Sequence, residues 1–187
     1  YLPKTKLSSK ALLRIISNAL EKATLKREMR IAQEKLTEMS IRDELTGMFN
    51  RRYFKDALER EISGASRYKH SLALCIIDLD HFKLVNDAYG HLCGDDVLQE
   101  FAKLLGDSIR KYDVACRYGG EEFSLLMPDT SLGEGVIAAE RIRNTIASRP
   151  LQTKSGKEVF LTVSIGVAEI QLNEVDIHEA LGLADRA

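Results

Sequence analysis

Residues 113–127 read DVACRYGGEEFSLLM, and this stretch decides the fold. Two apolar runs, 113–118 and 121–127, flank the pair Gly119-Gly120. A glycine pair between strands supplies the positive φ angles that a tight hairpin needs, so the stretch predicts two antiparallel strands. Upstream, Leu72, Ala73, Leu74, Cys75, Ile76 and Ile77 form an unbroken apolar run, which predicts a buried strand over 71–78. A short helix over 81–88 follows, then one over 95–111 with Val97, Leu98, Phe101, Ala102, Leu105 and Ile109 on one face. A helix near 50–66 precedes these, and a helix over 133–148, a strand over 158–168 and a helix from about Asp176 come after. The order βααββαβ, with an antiparallel hairpin at its centre, predicts an α+β fold: a ferredoxin-like antiparallel sheet flanked by helices.

Residues 7–40 contain neither Gly nor Pro and are rich in Lys, Glu, Leu and Ala, the composition of a long helix. Leu25, Met29, Ala32, Leu36 and Met39 recur at spacings of 4, 3, 4 and 3, two heptads of an a/d seam. Such a seam suits a dimerising helix, and a helix lying on its own domain fits the same pattern. The texture changes at Arg42, which predicts a helical segment over 1–41 and a globular domain over 42–187.

Hydrophobic residues make up 44% of the 187-residue chain and charged residues 29%, with a formal net charge of -1. That balance predicts a soluble globular protein and gives no broad basic surface for nucleic acid or anionic membrane. No apolar run reaches the ~18 residues of a membrane span. Cys75, Cys93 and Cys116 lack metal-ligand spacing, and Cys75 and Cys116 lie in apolar runs, as buried cysteines do in a reducing compartment; the expected location is the cytoplasm.

Three acidic clusters stand out: Asp78 with Asp80 at the end of an apolar strand, Glu121 with Glu122 beyond the glycine pair, and Asp95 with Asp96 at a helix start. In the expected sheet the first strand neighbours the hairpin, so Asp78 and the glutamates can converge. Carboxylates that close repel unless a cation lies between them, and oxygen donors without His or thiolate favour Mg²⁺ or Mn²⁺. Asp95 and Asp96 also suit a plain helix cap.

Arg117-Tyr118-Gly119-Gly120-Glu121-Glu122-Phe123 resembles the hallmark of the GGDEF family of diguanylate cyclases, in its GGEEF form. The resemblance covers about 42–187. Asp43-Glu44-Leu45-Thr46-Gly47 with Asn50-Arg51-Arg52 matches the family's opening. Asp78-Leu79-Asp80-His81-Phe82-Lys83 matches its first metal segment. Asn86-Asp87 through Gly90-His91 and Gly94-Asp95 matches its guanine-binding stretch, and Thr162 to Val167 its late strand. The family implies a nucleotide-cyclase and polymerase-palm-like sheet and condensation of two GTP molecules into cyclic di-GMP. By the same resemblance Asp78, the backbone carbonyl of Leu79 and Glu121 hold Mg²⁺ or Mn²⁺, with Glu122 close by. Glu121 is the family's proton acceptor, although a metal-bound carboxylate is a weak base, and Lys83 balances phosphate charge. Asn86 and Asp95 read the guanine, whose N1–H and N2–H₂ donors suit a carboxylate. His81, Phe82, His91, Gly119 and Gly120 contact the nucleotide. Arg110 and Asp113, an R-x-x-D before the hairpin, resemble the family's product-inhibition site, with Arg141 as a further ligand.

One set of groups holds one GTP, and the product has two-fold symmetry, so two subunits must face each other as a homodimer. Tyr1-Leu2-Pro3-Lys4 resembles the tail of a response-regulator receiver domain. The family continues past the position of Ala187 with basic residues near the triphosphate, so a truncated catalytic domain is expected. Gly133-Glu134-Gly135-Val136-Ile137-Ala138 fits a dinucleotide fingerprint formally, but no parallel strand–helix–strand unit surrounds it. A silent receptor for GTP or cyclic di-GMP, and a helix-mediated interaction module, are the competing readings.

Overall fold

The computed structural model describes residues 9–170. The receiver-like start and the helix expected from Asp176 lie outside the described residues. Contacts divide the chain into one unit up to Ser40 and a second from Ile41. In the first, helix α1 runs over Ser9–Ile41. Leu25 and Met29 of the expected seam are exposed on it, while the side chains of Ala32, Leu36 and Met39 lie outside the description.

In the second unit the elements are β1 (Phe49–Asn50), α2 (Arg51–Tyr68), β2 (Leu72–Leu79), α3 (Phe82–Tyr89) and α4 (His91–Ser108). There follow β3 (Val114–Gly119), β4 (Glu122–Pro128), α5 (Leu132–Ala147), β5 (Leu151–Gln152), β6 (Glu158–Val159) and β7 (Val163–Glu169). The sheet order is β1-β3-β4-β2-β7. Strands β3, β4, β2 and β7 pair antiparallel, which is the ferredoxin-like arrangement expected, and β1 adds a short parallel edge beside β3. Strand β2 is apolar without alternation because both faces are covered. Ala73, Cys75, Ile77 and Leu79 join the core with α4 and α5, while Leu72 and Leu74 join Phe54, Leu58 and Ala65 of α2.

Local chemistry sets the element ends. Asn50 caps α2, its side chain accepting the Tyr53 N–H at 3.0 Å. Ser131 and Glu134 form a capping box at the start of α5. Three boundaries differ from the sequence reading by more than two residues. Helix α4 starts at His91 rather than 95, because Gly90, at φ 83, already turns the chain between α3 and α4. It ends at Ser108 rather than 111, because Ile109 is extended and Asp113 accepts the Arg110 N–H at 2.7 Å in the next turn. The strand expected over 158–168 is two strands. β6 belongs to a separate hairpin with β5, closed by the buried Thr153, whose N–H donates to the Lys157 carbonyl at 3.0 Å.

Phe101 of α4 and Phe123 of β4 meet edge to face, centroids 4.7 Å apart, and both are fully buried. Phe101→Ala is expected to cost about 3–5 kcal/mol of unfolding free energy, read from urea denaturation.

Candidate functional site

The acids converge where β2 and β4 end. Asp78 is the Cα partner of Glu122 across these strands, and Glu121 sits in the two-residue turn that joins β3 to β4. Gly120, at φ 47, takes the first turn position, so Gly120-Glu121 rather than Gly119-Gly120 makes the bend. A one-residue register shift between Arg117 and Gly119 moves Gly119 into the ladder opposite Glu122. Opposed residues in a ladder share a face, so Asp78 and Glu122 point to the same side. Burial raises the pKa of Asp78 above the usual carboxylate range, and the charges of Glu121, Glu122 and Asp80 push it further the same way. Leu79 is buried, 1% exposed, and pairs with Val163 of β7. Among the described residues no three acidic, thiol or imidazole side chains alone form a metal cage.

Asp80 has a different task. Its carboxylate accepts from Thr162 Oγ1 at 2.5 Å and Ser164 Oγ at 2.6 Å, and its N–H donates to the Thr162 carbonyl at 3.0 Å. Burial would raise its pKa, but these hydroxyls and the nearby His81 outweigh burial and hold it low. Asp80 therefore fastens the end of β2 to β7.

The sequence reading gave Asp43 and Arg117 no role, and the structure joins them. Arg117 donates from Nε to the Gly120 carbonyl at 2.9 Å and lies 3.3 Å from Asp43 Oδ1. The same Asp43 oxygen accepts the Thr46 N–H at 2.9 Å and hydroxyl at 2.6 Å, closing the turn at 43–47. Gln99 of α4 donates to the Leu45 carbonyl at 3.0 Å. The opening motif is thus a strut between α4 and the glycine hairpin. An unbroken Asp-x-x-Thr turn and an Arg three residues before Gly120 were its only traces in sequence.

Helices α3 and α4 place the remaining residues. His81, in the left-handed region at φ 58, precedes the buried Phe82 that opens α3 and makes no side-chain capping bond, and Lys83 is exposed on the first turn of α3. His91 is exposed at the start of α4, and Asp95 lies one turn in, too late to cap it. Gly94 has a packing reason. A Cβ there would lie 2.0 Å from Asn86 Oδ1 and 3.2 Å from Phe82 Cζ. The missing side chain lets Asn86 lie against α4 immediately before Asp95.

Arg110, Asp113 and Arg141 also come together. Asp113 pairs with Arg110 through backbone and side chain, and Arg141 donates to the Ser108 carbonyl at 2.9 Å. Burial keeps the Asp113 pKa raised despite both arginines. Within the fingerprint-like stretch Gly135 packs close to Ala73 and Val167, and Glu134 is committed to the capping box. All three cysteines are free and buried, with the thiols of Cys75 and Cys116 pushed up to about 12 by burial.

Residues 40–187 match the family model described as "Diguanylate cyclase, GGDEF domain". The chain is 42% identical over 145 residues to the response regulator PleD of Caulobacter vibrioides, covering 77% of this chain and 32% of that protein. It is 34% identical over 178 residues to diguanylate cyclase DosC of Escherichia coli, covering 95% and 38%. The chain therefore spans about a third of the length of these relatives. The crystal structure of the coiled coil and GGDEF domain of DgcB from Caulobacter crescentus, in complex with c-di-GMP, superposes with TM-score 0.84 at 30% identity, covering 92% of this chain and 91% of that one. Diguanylate cyclase SiaD of Pseudomonas aeruginosa, in complex with its activator SiaC, gives 0.76 at 36% identity, covering 95% and 68%.

Gly94→Ala tests the contact between α3 and α4. In an open helix position this change would stabilise by about 1 kcal/mol. Here the clash with Asn86 is expected to reverse the sign, lowering stability by about 1–3 kcal/mol in chemical denaturation.

Proposed function

The chain belongs to the GGDEF diguanylate cyclase family, and from that premise we propose that it condenses two GTP molecules into cyclic di-GMP, releasing two pyrophosphates. The observation that carries this reading is Asp78 opposite Glu122, with Glu121 in the adjoining turn. Two like charges facing across a ladder destabilise the sheet unless something positive separates them. An all-oxygen set of few carboxylates fits Mg²⁺ or Mn²⁺, which Mg²⁺ sites commonly complete with phosphate oxygens and water. Asp78, the Leu79 carbonyl and Glu121 would hold the ion, with Glu122 beside them. Once bound, it supplies Lewis acidity at the α-phosphate and lowers the pKa of the attacking 3′-hydroxyl.

The chain's own groups do the rest. Lys83 places a cation over the phosphates from the first turn of α3, with His81, Phe82, Gly119 and Gly120 lining the approach. Asn86 and Asp95 accept from the guanine edge, and His91 contacts the nucleotide from the turn between the helices. The product's symmetry requires a second subunit presenting its own GTP, so the active form is a homodimer and α1 serves to bring the domains together. Arg110, Asp113 and Arg141 form an inhibitory site for cyclic di-GMP, where guanidinium forks meet phosphate and guanine edges. Among the described residues no helix is long and apolar enough to cross a membrane. The proposed setting is the cytoplasm, on the domain over 42–187.

Incubating the full-length protein with GTP and Mg²⁺, followed by product chromatography, tests the reading. Cyclic di-GMP supports it, and tight nucleotide binding without turnover means a receptor instead. Glu121→Gln is expected to abolish product while leaving the circular dichroism melt unchanged; retained turnover would remove Glu121 from the metal site. Arg110→Ala should raise the cyclic di-GMP concentration for half-inhibition by about 10-fold, as expected for a lost hydrogen bond to a charged group.

A further inference from the structure

We propose that Arg51 and Tyr118 form a positioning pair that fixes the glycine hairpin, and with it Glu121 and Glu122, on the cation site. The proposal rests on the metal-site reading above and adds two residues outside it.

Tyr118 is the extra residue of a β-bulge. Strand β3 pairs Arg117 with Phe123 and then Gly119 with Glu122, so Tyr118 has no place in the ladder. A bulge bends its strand and re-aims the side chains beyond it, at the cost of locally lost pairing. Here it stands one residue, Gly119, away from the turn that carries Glu121. Something else must hold the strand where the ladder does not.

The Tyr118 ring is held from the far side of the sheet edge. The guanidinium carbon of Arg51 lies 4.3 Å from the ring centroid, within range of a cation–π contact. Arg51 reaches it by register. Strand β1 pairs parallel with β3, with Asn50 opposite Arg117, so the residue after Asn50 meets the residue after Arg117. Its place is fixed independently, because Asn50 caps α2 and Arg51 is the first residue of that helix. Phe49, opposite Cys116, is itself pinned between Arg42, 4.0 Å over its ring, and the stacked Tyr53. The hairpin is thus braced twice. Arg117 holds the Gly120 carbonyl, and Arg51 holds the bulged ring two residues earlier. A planar guanidinium can stack while keeping its in-plane donors free, which lysine cannot reproduce. Neither Arg51 nor Tyr118 touches the cation; both act through the backbone of the turn.

The test uses the full-length protein and reads metal binding apart from turnover. Mn²⁺ is titrated by electron paramagnetic resonance in the presence of a GTP analogue that cannot release pyrophosphate, and amide hydrogen exchange is followed over residues 119–122. Arg51→Met and Tyr118→Leu should each weaken Mn²⁺ binding by about 2- to 5-fold and speed exchange at Gly120 and Glu121. The double variant should lose no more than the worse single, since both remove one contact. Tyr118→Phe keeps the ring and should bind Mn²⁺ like the parent. Parental binding in both single variants, additive losses in the double, or a Tyr118→Phe as weak as Tyr118→Leu overturns the pairing. Should Tyr118→Leu fail to fold, Arg51→Met decides alone by the same two measurements. Absence of Mn²⁺ binding in the unsubstituted protein would instead overturn the metal-site reading itself, and the pair with it.

Discussion

Asp78 and Glu122 stand opposite one another in neighbouring strands, with a third carboxylate in the turn beside them. Their mutual repulsion is paid by the hydrophobic core. Six residue pairs upstream, from Leu72 with Pro128 to Ile77 with Phe123, fix the register of β2 and β4 in a fully packed interior. A slip of one residue would turn every one of those side chains to the wrong face. The acids therefore cannot escape by sliding. The burial that defines the sheet therefore keeps Asp78 opposite Glu122, with Glu121 in the adjoining turn, as like charges that raise the Asp78 pKa.

Around that pair the structure spends its polar contacts on fixing element ends. Asp80 uses both carboxylate oxygens on hydroxyls, Ser164 of β7 and Thr162 just before it, which leaves Asp78 as the acid of its segment that faces the hairpin. Asp43 and Arg117 carry the position of α4 to Gly120 through the opening turn. Gly94 makes room for Asn86 so that α3 and α4 meet closely. Each device acts within a few residues of an expected nucleotide or metal contact. Packed elements confine such contacts more tightly than free loops would.

What could be read in the chain, and what could not, divides by the range of the interaction. The apolar run at 72–77, the glycine pair and the amphipathic pattern over 97–109 are local signals, and each marked its element. The start of α4 was misplaced by four residues, because the apolar period begins at Val97 while the helix is set by the Gly90 turn. The strand expected over 158–168 hid a break at Phe160 to Thr162, where apolar character continues through a segment that leaves the small hairpin for the main sheet. Strand β1, two residues long, has no periodic signature, and only its pairing with β3 defines it.

By itself the sequence determined the α+β class, the antiparallel hairpin and the order of the acidic motifs. These follow from residue type and short-range spacing, which the chain carries whether folded or not. The tertiary structure alone decided which carboxylate faces which, that Asp80 is tied to β7, and that Arg51 and Arg117 flank the glycine turn. Those facts depend on register and on contacts such as the 74 residues separating Asp43 from Arg117. Local propensity has no term for such distances, so only closure of the sheet could fix them.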